Sequence, residues 1–272
     1  MSKPRMCPNC RAFVDPKEKI CPYCDNPLGE TYAKRAARQG GGFGGIIPDT
    51  HVTTFIILFV NLAMFVAMLL LSQKLGMASL FSIDGRVAEL FGAKVRYNIL
   101  VEHQWWRLAT AGFLHAGLFH FGMNSWVLFD LGAAAEYTYG TSRYLVIYFV
   151  SNVFGFWASL FWTPAQSLGA SAALCGLIGA LMAGAKRTGQ SMAWSFYMRW
   201  MIIIVVLGLI VPYIDQAAHL GGFVAGYAVG WIASSPRVNR NIESLWKAAA
   251  TLATLGTVAA LAIAYSNVLR AL

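Results

Sequence analysis

Charge is what this chain has least of. Of its 272 residues only 12% are Asp, Glu, Lys or Arg, about half the share usual in a soluble domain. Acidic residues are the scarcer kind, 12 against 21 basic ones. The shortage is also uneven: residues 1–50 hold 13 of the 33 charges, so the other 222 residues share 20. So few charges cannot cover a surface that faces water, which excludes a soluble globule. The stretch is too long for one anchor helix. Hydrophobic residues make up 57% of the chain and the mean hydropathy is positive, so the region reads as a bundle of membrane spans behind a small polar head. Nothing before the first apolar run, near residue 52, has the pattern of a cleavable leader. The net charge of +9 does not indicate nucleic acid, because the basic residues gather at the ends of apolar runs rather than along one stripe.

Cysteine is nearly absent from the apolar region. Four of the five cysteines stand in the head, as Cys7-Pro-Asn-Cys10 and Cys21-Pro-Tyr-Cys24, two CxxC turns separated by ten residues. Each turn can aim two thiolates at one tetrahedral ion, and two turns complete a closed four-sulfur zinc site. A disulfide pair or a redox CxxC fits less well, since no thioredoxin-like βαβ pattern surrounds the motif. Few large apolar residues lie between the turns, so the metal is expected to supply most of the head's folding energy. The expected organisation is a zinc-ribbon-like head over 1–28 and a linker over 29–50 that carries Lys34, Arg35 and Arg38 before a glycine run.

Seven apolar segments follow, at about 52–72, 116–138, 143–163, 171–186, 195–212, 216–234 and 245–268. The predicted fold class is an all-α polytopic membrane protein: a six-helix core over 51–235, then one added helix within 236–272. With the N-terminus in the cytoplasm, inside segments hold 15 basic residues and outside segments 6. That bias orients the chain N-in and C-out and keeps the head's cysteines in a reducing compartment, which favours zinc over disulfide. The 73–115 loop, ending in Trp105-Trp106-Arg107, suits a segment lying in the outer interface.

Polar side chains inside spans are costly and mark function or a wet cavity. His115, His120 and Asn124 open the second span, with His120 and Asn124 one turn apart on one face. Gly169-Ala170-Ser171 opens the fourth. In the sixth, His219, Gly222, Gly226 and Gly230 fall on one stripe, where small residues let another helix approach closely. Ser171, Cys175 and Gly179 make a comparable stripe. Packing the two face to face brings Ser171 beside His219. An imidazole can then take the serine proton, and His120, Asn124 and the Ser171 backbone N–H can face the oxyanion of an attacked amide. Asp130 and Glu136 lie toward the opposite end of their span. Asp215 is four residues before His219 but reads as a loop-end counter-charge, so the expectation is a dyad.

HxxxxHxxxN in the second span, GxS at the head of the fourth and AHxxGxxxG in the sixth together resemble the rhomboid intramembrane serine proteases. Trp106-Arg107 is similar to that family's WR element, and Glu136 sits where the family often has a glutamate. The resemblance covers roughly residues 50–235. It implies six helices around a water-filled cavity open to the outside. It also implies Ser171 as nucleophile, His219 as general base and acid, and His120 and Asn124 as oxyanion donors. The implied substrates are single-pass membrane proteins cut near the outer face; no cofactor for catalysis is implied. Two positions depart from the pattern: Ala172 stands where glycine usually follows the serine, and Cys175 where an aromatic ring is common. These motivate a rival reading, a rhomboid-like pseudoprotease that binds membrane proteins without cutting them. A second rival is a transporter or metal-binding protein using His115, His120 and His219, though no inverted repeat is apparent.

Overall fold

The structure is a computed structural model that describes residues 52–76, 81–211, 214–233 and 240–271, together with 5, 6, 13–15, 18 and 21 of the head. In the head, β1 (Arg5–Met6) and β2 (Phe13–Val14) pair antiparallel, with Arg5 opposite Val14. These strands flank the first CxxC in sequence. Cys7, Cys10 and Cys24 lie outside the described residues, while Cys21 is buried. Among the described residues no group of three or more His, Cys, Asp or Glu side chains is placed to hold a metal.

Among the described residues everything else that is regular is helical. The long elements are α1 (Val52–Lys74), α5 (Leu118–Tyr139), α6 (Thr141–Trp162), α7 (Ser171–Arg187), α8 (Ser191–Ile210), α9 (Gln216–Ile232) and α10 (Arg240–Ala271). Helix thus occupies each of the seven apolar segments. The largest departures are at the starts of α8 and α10, which begin four and five residues earlier than hydropathy indicates. Polar first turns, such as Arg240-Asn-Ile-Glu243, look like loop to a hydropathy window but make good helix starts, with the acid near the N-terminus. Four helices, α1, α6, α8 and the Ile242–Ala271 part of α10, are long and apolar enough to cross a membrane. The protein is an integral membrane protein. In the most apolar stretch of α8 only 6% of the residues are buried, so lipid must cover most of its sides. It leans on α7 and meets α5 through the edge-to-face pair Trp126 and Trp200.

α9 packs most extensively on α7 and next on α6. The contact with α7 is backbone on backbone. A methyl placed on Gly222 would lie 2.1 Å from the Ala172 carbonyl oxygen, one on Gly226 2.0 Å from the Gly176 carbonyl oxygen, and one on Gly230 2.5 Å from the Ala180 Cα. The α9 stripe is the one read from the sequence. The α7 stripe is only partly so: Gly179 does meet α9, a methyl there lying 2.4 Å from the Phe223 carbonyl oxygen, but the α9 glycines face Ala172, Gly176 and Ala180 rather than Ser171 and Cys175. The closest approach goes to the register that offers a glycine backbone at its centre, and Gly176 offers less bulk than Cys175. Ser171 is thereby turned to the edge of the contact. There its hydroxyl is half-buried instead of sealed between the helices.

At the other end of the bundle, Arg143 forms a two-point ion pair with Glu243 at 2.9 and 2.7 Å and lies over the Trp246 ring, tying α10 to α6. Glu136 accepts from Thr53 at 2.5 Å and Thr141 at 2.8 Å. Gly140, with φ of +75°, turns the chain between α5 and α6 in one residue.

Gly226→Ala tests the α7–α9 contact. Its methyl has only backbone to push against, so a loss of about 1–3 kcal/mol is expected, read as a lower midpoint of thermal unfolding in detergent. Gly256→Ala is the control. Nothing lies within 4 Å of its added methyl, so helix propensity alone should leave it neutral or up to about 1 kcal/mol more stable.

Candidate active site

The loop between α1 and α5 is folded. It contains three short helices, α2 (Gly85–Leu90), α3 (Arg96–Leu100) and α4 (Arg107–Thr110), and the 3-10 turn Ala111–Phe113. Arg107 holds it together. Its guanidinium donates to the carbonyls of Glu89 at 2.7 Å and Ala93 at 3.0 Å and to the Gln104 side chain at 2.6 Å, and it lies over the Trp106 ring. The WR pair is thus a knot inside the loop; Trp105 remains exposed.

From that knot the chain reaches the α6–α7 loop through Lys94. Its backbone exchanges two hydrogen bonds with Ser167, at 2.9 and 3.0 Å. Its fully buried side chain donates to the carbonyls of Thr163 at 2.8 Å and Ala165 at 3.0 Å. Burial draws the Lys94 pKa below its ordinary value; the Asp215 carboxylate opposes this and the Arg96 charge adds to it. The next tie is Gly169, whose N–H donates to the Ala111 carbonyl at 2.9 Å. Ser171 follows two residues later.

Ser171 is the first residue of α7, where backbone amides have no partner within the helix. Its Oγ lies 2.8 Å from Nε2 of His219, one turn inside α9. For Nε2 to accept the serine proton, the ring must carry its own proton on Nδ1, and Nδ1 meets no partner among the described residues. His120 has the opposite tautomer. Its Nδ1 accepts from the Ala116 N–H at 3.3 Å, which leaves the proton on Nε2. That Nε2 faces Gly169: a methyl placed there would sit 2.8 Å from Nε2 and 3.8 Å from the Ser171 Oγ. One small space is therefore bounded by a nucleophile and an N–H donor, and φ of +128° at Gly169 keeps it open because few other residues adopt that backbone. Asn124 is buried one turn below His120 and donates one amide proton to the His120 carbonyl at 2.9 Å; the second proton is left over. His115 is fully buried against the rings of His120 and Phe121.

Two residues differ from their expected roles. Asp215 is no mere counter-charge: it caps α9, accepting from the Ala218 N–H at 3.0 Å, and it takes a very short hydrogen bond from Ser159. Ala172 presents its methyl to Gly155 of α6, where a second methyl would come within 2.8 Å. Lys94, Ser159 and Gly155 had no motif to announce them.

Residues 102–236 match the Rhomboid domain. Over that stretch the chain is similar to rhomboid proteins. Over 140 residues, half of the chain, it is 34% identical to the rhomboid protease GluP of Bacillus subtilis, of which the match covers 27%. RHOMBOID-like protein 2 of Arabidopsis thaliana is 29% identical over 220 residues, 68% of each chain. Inactive RHOMBOID-like protein 8 of the same plant is 32% identical over 133 residues, 45% of this chain and 36% of that one. The matches cover 27% to 48% of the first three curated relatives. The matched region begins within the knot of the first loop and ends just past α9, so the head, α1, α2, α3 and all of α10 lie outside it.

Lys94→Met should loosen the approach to Ser171. Losing a charged donor to two carbonyls costs about 1.5–3 kcal/mol for each bond, and the expected readout is faster amide hydrogen exchange over residues 165–169. Unchanged exchange there would remove Lys94 from the loop's support.

Proposed function

We propose that this protein is an intramembrane serine endopeptidase working through a Ser171–His219 dyad. The observation that carries the reading is the 2.8 Å bond from Ser171 to His219 beside a space faced by the N–H of His120. As the Ser171 Oγ attacks a peptide carbonyl, its proton moves to His219 Nε2. The carbonyl oxygen becomes an oxyanion, with the His120 Nε2–H, the spare Asn124 amide proton and the Ser171 N–H as donors. Collapse breaks the C–N bond, and His219 returns the proton to the leaving amine. Water then repeats the sequence on the acyl-serine. The substrates proposed are single-pass transmembrane proteins, cut near the outer face where the chain can unwind. The proposed topology is a six-helix core over 51–235 with α10 as a seventh, added helix, N-terminus in the cytoplasm.

The rival is a rhomboid-like pseudoprotease, favoured by the departures at Ala172 and Cys175 and by the likeness to a plant relative named inactive. Against it stands the accommodation of the Ala172 methyl on Gly155, away from any group with chemistry. A fluorophosphonate probe separates the two. Labelling at Ser171 that is lost in His219→Ala supports the peptidase; no labelling of the wild type supports the pseudoprotease.

We propose further that Cys7, Cys10, Cys21 and Cys24 hold a structural zinc, with the β1–β2 pair flanking the first turn. Purified full-length chain should carry about one zinc per molecule, and Cys21→Ser should release it without changing cleavage.

Ser171→Ala should abolish cleavage of a transmembrane substrate, and His120→Ala should slow it by about 10²–10³. The rate should also fall as pH is lowered through the titration of His219, because an imidazolium cannot take the serine proton. A rate flat across the acid range would exclude a histidine base.

A further inference from the structure

The outer end of α6 serves as a common post for both halves of the dyad. On one side Lys94 grips the Thr163 and Ala165 carbonyls just past the end of α6, and the loop so held runs to Ser171. On the other side Ser159, fully buried in the last turn of α6, donates to the Asp215 carboxylate. The second oxygen of that carboxylate accepts from the Ala218 N–H at 3.0 Å, and the Asp215 carbonyl accepts from the His219 N–H at 3.1 Å. One residue thus fixes the first turn of α9 and fastens it to α6, directly beneath the imidazole.

The Asp215 carboxylate is placed for this and not for a charge relay. Its two oxygens are engaged by Ala218 and Ser159, and the His219 Nδ1 is not among its partners. We propose that Asp215 is a positioning residue: through Ser159 it sets the height and rotation of the first turn of α9, and so the separation of Ser171 from His219. This rests on the peptidase reading.

The geometry makes a demand that a charge role would not. An Asn side chain can still cap Ala218 through its oxygen and donate from its amide to the Ser159 hydroxyl. Asp215→Asn should therefore keep most of the function, whereas Asp215→Ala loses both ties. The relay alternative requires the negative charge itself, so it ranks the two variants together.

The test uses the full chain in detergent, with kcat and KM for a transmembrane substrate and amide hydrogen exchange at residues 216–219. Asp215→Ala should lower kcat by roughly 10–100-fold, the range expected of a misplaced reacting group, with KM within about twofold, since substrate binding is not touched. Asp215→Asn should stay within about threefold of wild type in kcat, as its bonding pattern is retained. Ser159→Ala should fall between them, and adding it to Asp215→Ala should cost nothing more, because the two act as one unit. Exchange at 216–219 should rise in Asp215→Ala and Ser159→Ala and stay low in Asp215→Asn. An Asn variant as damaged as the Ala variant overturns the proposal in favour of a charge role, and wild-type kcat in Asp215→Ala overturns it outright. If Asp215→Ala does not fold, Ser159→Ala and Asp215→Asn still decide. Wild-type protein that neither cleaves nor labels at Ser171 overturns the peptidase reading instead. The exchange data then stand alone: faster exchange supports the tether, and unchanged exchange overturns it.

Discussion

The meeting of α7 and α9 at their backbones is the constraint on which the rest of this molecule depends. Helices separated by ordinary side chains keep their axes about 8–10 Å apart, and a serine hydroxyl is one of the shortest polar reaches available. For Ser171 to lie within hydrogen-bond distance of His219, the two helices must come closer than ordinary packing allows. Gly222, Gly226 and Gly230 permit this by leaving no Cβ against Ala172, Gly176 and Ala180. Lipid gives helices no hydrophobic reason to associate, so contact of this kind also supplies much of the cohesion. The residues that hold the bundle together are therefore the ones that set the distance between the proposed reacting groups.

That contact leaves two freedoms, sliding and rotation, and polar ties at the helix ends remove them. Gly155 of α6 faces both the Ala172 methyl and the Ala218 carbonyl, so a third helix presses into the α7–α9 seam. Ser159 and Asp215 fasten the seam at the serine end. At the opposite end the Tyr139 hydroxyl reaches the Ala180 carbonyl of α7, and the Arg187 guanidinium of α7 donates to Trp231 and Ala233 at the end of α9. Such bonds are modest singly in a membrane. Here each one acts on a geometry that packing has already narrowed to a few arrangements.

Much of this was legible in the sequence, and the reason is the solvent. In lipid each spanning segment must satisfy its own backbone, so hydropathy alone located the seven long helices to within a few residues. Glycines at His219+3, +7 and +11 located the face of α9, because spacing along a helix dictates which residues share a side. The α7 face was read correctly at Gly179 and one position off at Ser171 and Cys175. Neighbouring residues there are all small, and small residues alone do not distinguish the register that puts Gly176 at the centre from the one that puts Cys175 there. The first loop was the least legible. Its fold comes from Arg107 and Lys94 donating to carbonyls far away in sequence, and a carbonyl acceptor leaves no trace in residue type. Asp215 was noticed, but a carboxylate four residues before a histidine suggests a relay or a stray charge as readily as a cap; only the positions of Ala218 and Ser159 separate these.

The departure at Ala172 shows why a motif position is not read one residue at a time. Glycine after the serine would leave the seam open; alanine fills it with a methyl that needs a place to go. Gly155 is that place. A Cβ there would meet the Ala172 methyl at 2.8 Å, so an alanine at 155 would force α6 away from α7, and α6 is the helix whose last turn carries Ser159. Crowding at 172 would then reach His219 through Asp215, without touching the space beside His120. The pairing of Ala172 with Gly155 thus preserves the dyad by keeping a third helix close, which moves the question of activity from the residue after the serine to the helix packed behind it.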